Sequence, residues 1–312
     1  MYLPYLRGRQ FELLALRELL EKKLIGTKII PIIEPIKPTS TLIKTLKLYT
    51  VNQRSLAIIM NPRVGKFSAE VRKMRDTNKD NNIIKSLYDS MNQENAIKAY
   101  IMTGKIAEKI KSKEDNNKFI IINDNRDTLD YYLDVYNEEC PMFTLIPDDR
   151  IFRISVENGR VLFSDRFKKK ERNVDYIKKD DEFFSDDHLF FMEEGYKGFS
   201  DYSVVGQEFN DSGFAPLAVA IHIAYFDNKK NLRIKHFVSD SNEDISDPAG
   251  KFGEALEKLV FWVRDNEIPL TEALKEFNEL YYTGKYPGLG TVKKLSIMHH
   301  IELINKYLEG EV

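Results

Sequence analysis

The sequence predicts an α/β protein: a single (β/α)8 barrel with extra C-terminal helices. Three observations carry that expectation. Short apolar runs alternate with amphipathic stretches of roughly 10–15 residues, the pattern of parallel βαβ units. The early runs are apolar on both faces, as strands are when helices cover one side and a core fills the other. Eight such core runs fit within ~230 residues, the size of one closed barrel. An open doubly wound sheet is the alternative. Against a dinucleotide-binding sheet, LRGRQFE after the first run holds one glycine and no phosphate fingerprint.

The elements follow in order. YLPYL (Tyr2 to Leu6) reads as a strand, and Leu13, Leu16, Leu20 and Leu24 then recur at helical spacing. KIIPIIEP (Lys28 to Pro35) is the second strand, and Thr39 and Ser40 can cap the helix that follows. SLAIIMNP (Ser55 to Pro62), AYIMTG (Ala99 to Gly104), KFIIIND (Lys118 to Asp124) and MFTLIPDD (Met142 to Asp149) continue the series. RIFRISVENGRVLFSD (Arg150 to Asp165) reads as a β-hairpin turning at Asn158-Gly159. With the charged stretch up to Asp187 it makes an insertion at 150–187 over one face. HLFFMEE, starting at His188, is then the seventh core strand and PLAVAIHIAYF (Pro216 to Phe226) the eighth. LRIKHFVSD (Leu232 to Asp240) pairs antiparallel to the eighth through the DNKKN turn. The portion 247–312 is helical, with Asp247 and Thr271 as N-caps and Pro248 at a first helical position.

Composition narrows the function classes. The chain has 312 residues, a formal net charge of -2 and one cysteine. Such a balance gives no global pull toward nucleic acid or anionic membrane. A single cysteine cannot form an intrachain disulfide, and Cys140 sits in no nucleophile motif. No apolar run reaches ~18 residues, so no membrane span is expected and a cytoplasmic location is.

Active sites of barrels lie at the C-terminal strand ends, where residues distant in sequence meet in one cup. Those ends carry Arg7, Glu34, Asn61, Thr103, Asp124, Asp148, Glu193 and Glu194, with His222 as a further candidate. Glu34 shares a face with Ile30 and Ile32, and Asp124 with Ile120 and Ile122. If those faces point inward, two carboxylates meet at the mouth, fit for acid/base hydrolysis or a hard cation. Glu193 and Glu194 are strand neighbours and point to opposite faces, so at most one reaches the mouth. Asp201, after a Gly-hinged loop, is expected to fold back beside it. His222 alternates with alanines on one face of its strand, where a buried imidazole needs a partner.

Metal evidence is thin. There is no HExxH, and His299 and His300 are adjacent on a helix and point apart. Any metal would be a hard cation such as Mg²⁺ on oxygen ligands. Two basic segments could meet phosphate: FKKKER (Phe167 to Arg172), and Lys293 with Lys294 in the first turn after Gly288 and Gly290.

MYLPYLRGRQFELLALREL with KIIPIIEPIKP resembles the opening of the beta-protein-like families of phage and bacteria. GFSDYSVVG, AVAIHIAYF, HFVSD and GLGTVKKLSIMHHIELI resemble one bacterial branch of them. The resemblance spans nearly the whole chain, with 63–95 least distinctive. It implies a barrel-like fold and a place in mobile or phage-related gene sets beside a nuclease-like companion protein. It carries over no catalytic residue.

The reading that follows is a hydrolase-like barrel enzyme for a phosphoester or similar small anionic substrate. Its catalytic candidates are Glu34, Asp124, Glu193, Asp201 and His222, and its anion-binding candidates Arg7, Lys293 and Lys294. A non-catalytic component of a phage-defence or mobile-element complex is the alternative, and a nucleic-acid binder the third.

Overall fold

The computed structural model describes residues 1–77, 81–111, 118–136, 141–210 and 216–312. The chain opens with β1 (Tyr5–Leu6) and α1 (Gln10–Glu21), then β2 (Ile32–Ile33) and α2 (Ser40–Val51). β3 (Leu56–Ile59) leads into α3 (Phe67–Asp76) and α4 (Asn81–Met91). β4 (Ala96–Ile101), α5 (Gly104–Lys111), β5 (Phe119–Ile122), α6 (Leu129–Tyr136) and β6 (Phe143–Ile146) continue the alternation. Then come α7 (Arg150–Ser155), β7 (Arg160–Phe163), β8 (Asp181–Ser185), α8 (Asp187–Phe190) and β9 (Gly198–Ser200). A hairpin of β10 (Ala220–Phe226) and β11 (Leu232–Val238) precedes three helices, α9 (Pro248–Asp265), α10 (Glu272–Thr283) and α11 (Leu289–Glu309).

Eight strands form one parallel sheet in the order β1-β2-β3-β4-β5-β6-β7-β9. The sheet curls into a nearly closed barrel, because the N-terminal stretch touches both of its edges. Tyr2 bridges Ile29 on one side and Phe199 on the other. The seam is sewn by Leu3 N–H to the Phe199 carbonyl at 2.9 Å and Phe199 N–H to the Met1 carbonyl at 3.0 Å. Gly198 makes the approach possible, since a Cβ there would lie 2.6 Å from the Met1 carbonyl oxygen.

Two apolar layers follow from strand alternation. Ile32, Ala57, Ile59, Ala99, Ile101, Ile120, Ile122, Leu145 and Val161 fill the barrel interior. Ile33, Ile58, Tyr100, Ile121, Ile146 and Leu162 face outward onto the helices. The expected caps are present: Thr39 Oγ1 accepts from Leu42 N–H at 3.2 Å, Thr271 Oγ1 from Leu274 N–H at 3.3 Å and Asp247 Oδ1 from Gly250 N–H at 2.8 Å. Where α11 crosses α1, Gly290 leaves room for the Phe11 ring that any Cβ would strike.

Three expectations are corrected. Arg150 to Asp165 is not a hairpin: Asp149 Oδ1 caps α7 by accepting from Ile151 N–H at 3.0 Å, and β7 lies parallel to β6. Asn158-Gly159 does turn the chain, with Gly159 at φ +65°, but it joins a helix to a barrel strand. HLFFMEE is not a strand; α8 and the turn after it occupy that place, with Phe191 buried and Met192 72% exposed. The strand behind it is the short GFS of β9. PLAVAIHIAYF is not in the barrel either. Its β10 pairs with β11, and β11 with β8, in a separate antiparallel sheet. A tight hairpin partner forces antiparallel pairing, which an all-parallel barrel cannot accept.

Candidate functional site

Alternation puts a ring of inward residues at the C-terminal strand ends: Arg7, Glu34, Asn61, Thr103, Asp124, and Tyr202 beyond β9. Glu34 and Asp124 reach it as expected, because Ile32 and Ile122, two residues before each, point into the barrel. Glu34 is fully buried. Its Oε2 accepts from the Tyr5 hydroxyl at 2.7 Å and from Arg7 Nη1, and its Oε1 from the Arg63 backbone N–H at 2.6 Å. Arg7 also donates through Nη2 to the Gln207 carbonyl at 2.6 Å. Its guanidinium stacks over the Tyr5 and Tyr202 rings, at 5.3 and 5.0 Å from their centroids.

Asp124 is held by a second arginine. Arg63 Nη1 and Nη2 donate to its two oxygens at 2.7 and 2.6 Å, a bidentate fork. Burial disfavours the Arg63 charge, but hydrogen bonding to Asp124 outweighs it and raises the pKa further. Unlike the Arg7–Glu34 pair beneath, this fork is open: the Arg63 side chain is 45% exposed. Burial pushes both tyrosine hydroxyls up, Tyr5 further still through the neighbouring Glu34 carboxylate. Both phenols therefore stay protonated as donors at neutral pH. Asn61 is spent on structure, its amide exchanging two hydrogen bonds of 2.8 and 2.9 Å with the Ile101 backbone.

The other candidates lie elsewhere. Asp201 points out of the barrel, beneath α11, because Tyr202 takes the inward position. It accepts from the Tyr2 hydroxyl and Ser203 N–H at 2.7 Å each, with His300 Nε2 at 3.6 Å. Burial would raise its pKa, but His300 and these hydrogen bonds bring it below the usual value. Glu193 and Glu194 are exposed in the turn that leads into β9, at the opposite, N-terminal end of the barrel. There Arg160, at the start of β7, donates to the Glu194 and Gly195 carbonyls at 3.0 Å each. Neither carboxylate reaches the mouth, since the strand that would have carried them there does not exist.

His222 stands on β10 in the antiparallel sheet, its Nδ1 2.7 Å from Nδ1 of His236 across the strand pair. Arg7 is an internal counter-ion rather than an open anion site. Lys294 bonds Glu18 at 2.6 Å and stands 3.7 Å from Glu276, joining α11 to α1 and α10. Lys293 faces a cavity shared with His222. In the basic segment, Lys169 pairs with Glu208, Lys170 with Glu182 and Arg172 with Asp175, so its charge is largely answered locally. His299 and His300 point apart as expected, one to Thr271 and the Ala224 carbonyl, the other to Tyr2. Cys140 lies outside the described residues.

Sequence reading missed Arg63, Tyr5 and Tyr202. Tyr5 was legible, being two residues before Arg7 on one strand face. Arg63 lies beyond the strand end, after Asn61-Pro62, where no alternation applies. Among the described residues, no group of three His, Cys, Asp or Glu side chains could hold a metal ion, and no helix is long and apolar enough to cross a membrane. No protein-family model, curated protein or solved structure matches this chain, so its place rests on the barrel and on this mouth.

Proposed function

We propose that the protein is a barrel enzyme that hydrolyses a small anionic substrate, a phosphoester or related ester, at the mouth formed by Arg63, Asp124, Glu34 and Arg7. One observation carries the reading: an open, bidentate Arg63–Asp124 fork rests on a buried Arg7–Glu34 ion pair. The buried Arg7–Glu34 pair is a fixed floor, and Glu34 pins the Arg63 backbone to it. The upper fork is exchangeable. An arriving phosphoryl group offers the planar guanidinium the bidentate partner it prefers. Arg63 then turns from Asp124 to substrate, and the released Asp124 carboxylate becomes the general base for a water. Asp124 takes a proton as the water oxygen bonds to phosphorus, the ester P–O bond breaks, and Asp124 returns that proton to the departing alkoxide, which leaves as the alcohol. Tyr202 supplies a hydroxyl donor, and the Tyr5 and Tyr202 rings an apolar wall, around the developing charge.

The test is binding of inorganic phosphate by calorimetry, beside turnover of p-nitrophenyl phosphate and bis-p-nitrophenyl phosphate. Arg63→Ala should weaken phosphate roughly 10–100-fold, the worth of a charge-assisted fork. Asp124→Asn should keep or tighten phosphate binding while abolishing turnover. Phosphate binding unchanged by Arg63→Ala, with no ester turned over, would sink the proposal.

A further inference from the structure

A second cavity, about 220 Å³, lies between the antiparallel sheet and the start of α11. Phe167, Val219 and Val292 give it apolar walls, and His222, Lys293 and Ser296 its polar groups. Behind it runs a line of titratable side chains. Glu182 and His236 are both buried, and Glu182 Oε1 stands 3.6 Å from His236 Nε2. His236 Nδ1 in turn meets His222 Nδ1 at 2.7 Å.

This line favours one pair of tautomers. Two facing Nδ1 atoms need one proton between them, so one ring donates and the other accepts. The Glu182 carboxylate, 3.6 Å away and beyond hydrogen-bond reach, favours a proton on His236 Nε2 through its charge. His236 Nδ1 must then accept, and His222 Nδ1–H must donate. His222 Nε2 is left with a lone pair and no hydrogen bond to a described residue. The Phe167 and Tyr176 rings, 5.1 and 4.7 Å away by centroid, hold the imidazole in place.

Lys293 supplies the other half. Its ammonium makes no ion pair or hydrogen bond with a described residue. Burial disfavours the charge; Glu12 offsets this from a distance, while Arg9 and Lys169 add to the cost. A cation with no carboxylate in contact, beside an apolar wall, is a group that gains from an anion.

We propose that this cavity is a second ligand site, built for a short hydroxycarboxylate whose carboxylate pairs with Lys293 and whose hydroxyl donates to His222 Nε2. A cavity of about 220 Å³ suits a ligand of a few carbons. The site is independent of the barrel mouth and stands or falls separately from the ester hydrolysis proposed there.

The experiment titrates the full chain with glycolate, lactate and 3-hydroxybutyrate. Propionate, lacking the hydroxyl, and 1-propanol, lacking the carboxylate, are the controls. At least one hydroxy acid should bind about tenfold more tightly than propionate, the worth of one hydrogen bond to a waiting acceptor, and 1-propanol should not bind. Lys293→Met should weaken that ligand at least about tenfold, and His222→Phe should erase its advantage over propionate. Arg63→Ala should change nothing here. Nitrogen-15 spectra of the unsubstituted protein add a readout that no variant can spoil by misfolding: His222 should carry its proton on Nδ1, and its Nε2 signal should move on binding. A proton on His222 Nε2, equal binding of propionate, or hydroxy-acid affinity untouched by Lys293→Met would each overturn the proposal.

Discussion

His299 should make the fold acid-sensitive well above the carboxylate range, and the size of the effect follows from its contacts. The imidazole is fully buried in α11. Nε2 is 2.6 Å from the Ala224 carbonyl, which can only accept, so Nε2 carries the proton. Nδ1, 2.8 Å from Thr271 Oγ1, must then accept from the hydroxyl. That neutral tautomer is locked, and burial lowers the pKa from 6.5 to about 4. The folded state therefore resists a proton that the unfolded chain takes up readily. Stability is full above about pH 6.5 and falls as pH drops toward 4. At about 1.4 kcal/mol per pH unit, the group costs roughly 2.5 kcal/mol at pH 4.5 relative to pH 7.5. The variant is His299→Gln, whose amide can still donate to Ala224 and accept from Thr271 but does not titrate. Urea unfolding followed by the fluorescence of Trp262, the single tryptophan, gives both stabilities across pH. His236 and His188 are also lowered by burial, but they are common to both proteins and cancel in the difference. The wild type should lose roughly 2 kcal/mol more than the variant between pH 7.5 and 4.5. Parallel curves, within about 0.5 kcal/mol, would refute the reasoning.

The mouth and its surroundings make three further claims. Glu34→Gln places an amide donor against Arg7 and Tyr5 or against the Arg63 N–H, and should cost about 3 kcal/mol by calorimetric melting. Glu193→Gln and Glu194→Gln, at the far end, should change stability by less than about 0.5 kcal/mol and leave phosphate affinity unchanged. Asp201→Asn should cost roughly 1–3 kcal/mol at pH 7. Because the Asp201 pKa is depressed below 3.8, its contribution is present above that pH and lost as pH falls through the folded value. The variant's unfolding curve should therefore be flatter than wild type in that acid range.

What the sequence made legible was governed by alternation. Ile30, Ile32, Ile120 and Ile122 told which way Glu34 and Asp124 point, and the interior layer agrees. The count of eight barrel strands also held, though two of the eight expected segments were the wrong ones. The apolar runs at β7 and β9 are only Val161 to Phe163 and Phe199, while the longer HLFFM and PLAVAIHIAYF runs looked more like strands. HLFFM has apolar side chains because a turn can bury one of them, Phe191, and leave its neighbours exposed. PLAVAIHIAYF has them because β10 is covered by α11 as well as by its own sheet. Asp201 shows a different limit. Its place depends on which of two adjacent residues faces inward, and Tyr202 took that place by packing against Tyr5 and Phe163. Arg63 needed a loop path that no periodicity encodes.

The seam between the N-terminal stretch and β9 also sets a timetable. Leu3 and Tyr5 wait for the carbonyls of Phe199 and Asp201, and Tyr2 for Asp201 and His300. At about 5–20 residues per second on the ribosome, the first strand stands with one bare edge for some 10–40 seconds before its neighbour exists. Any sheet formed in that interval keeps two unpaired margins. The barrel is thus sealed late, and its earliest residues are the ones most exposed to capture by a chaperone or by another nascent chain.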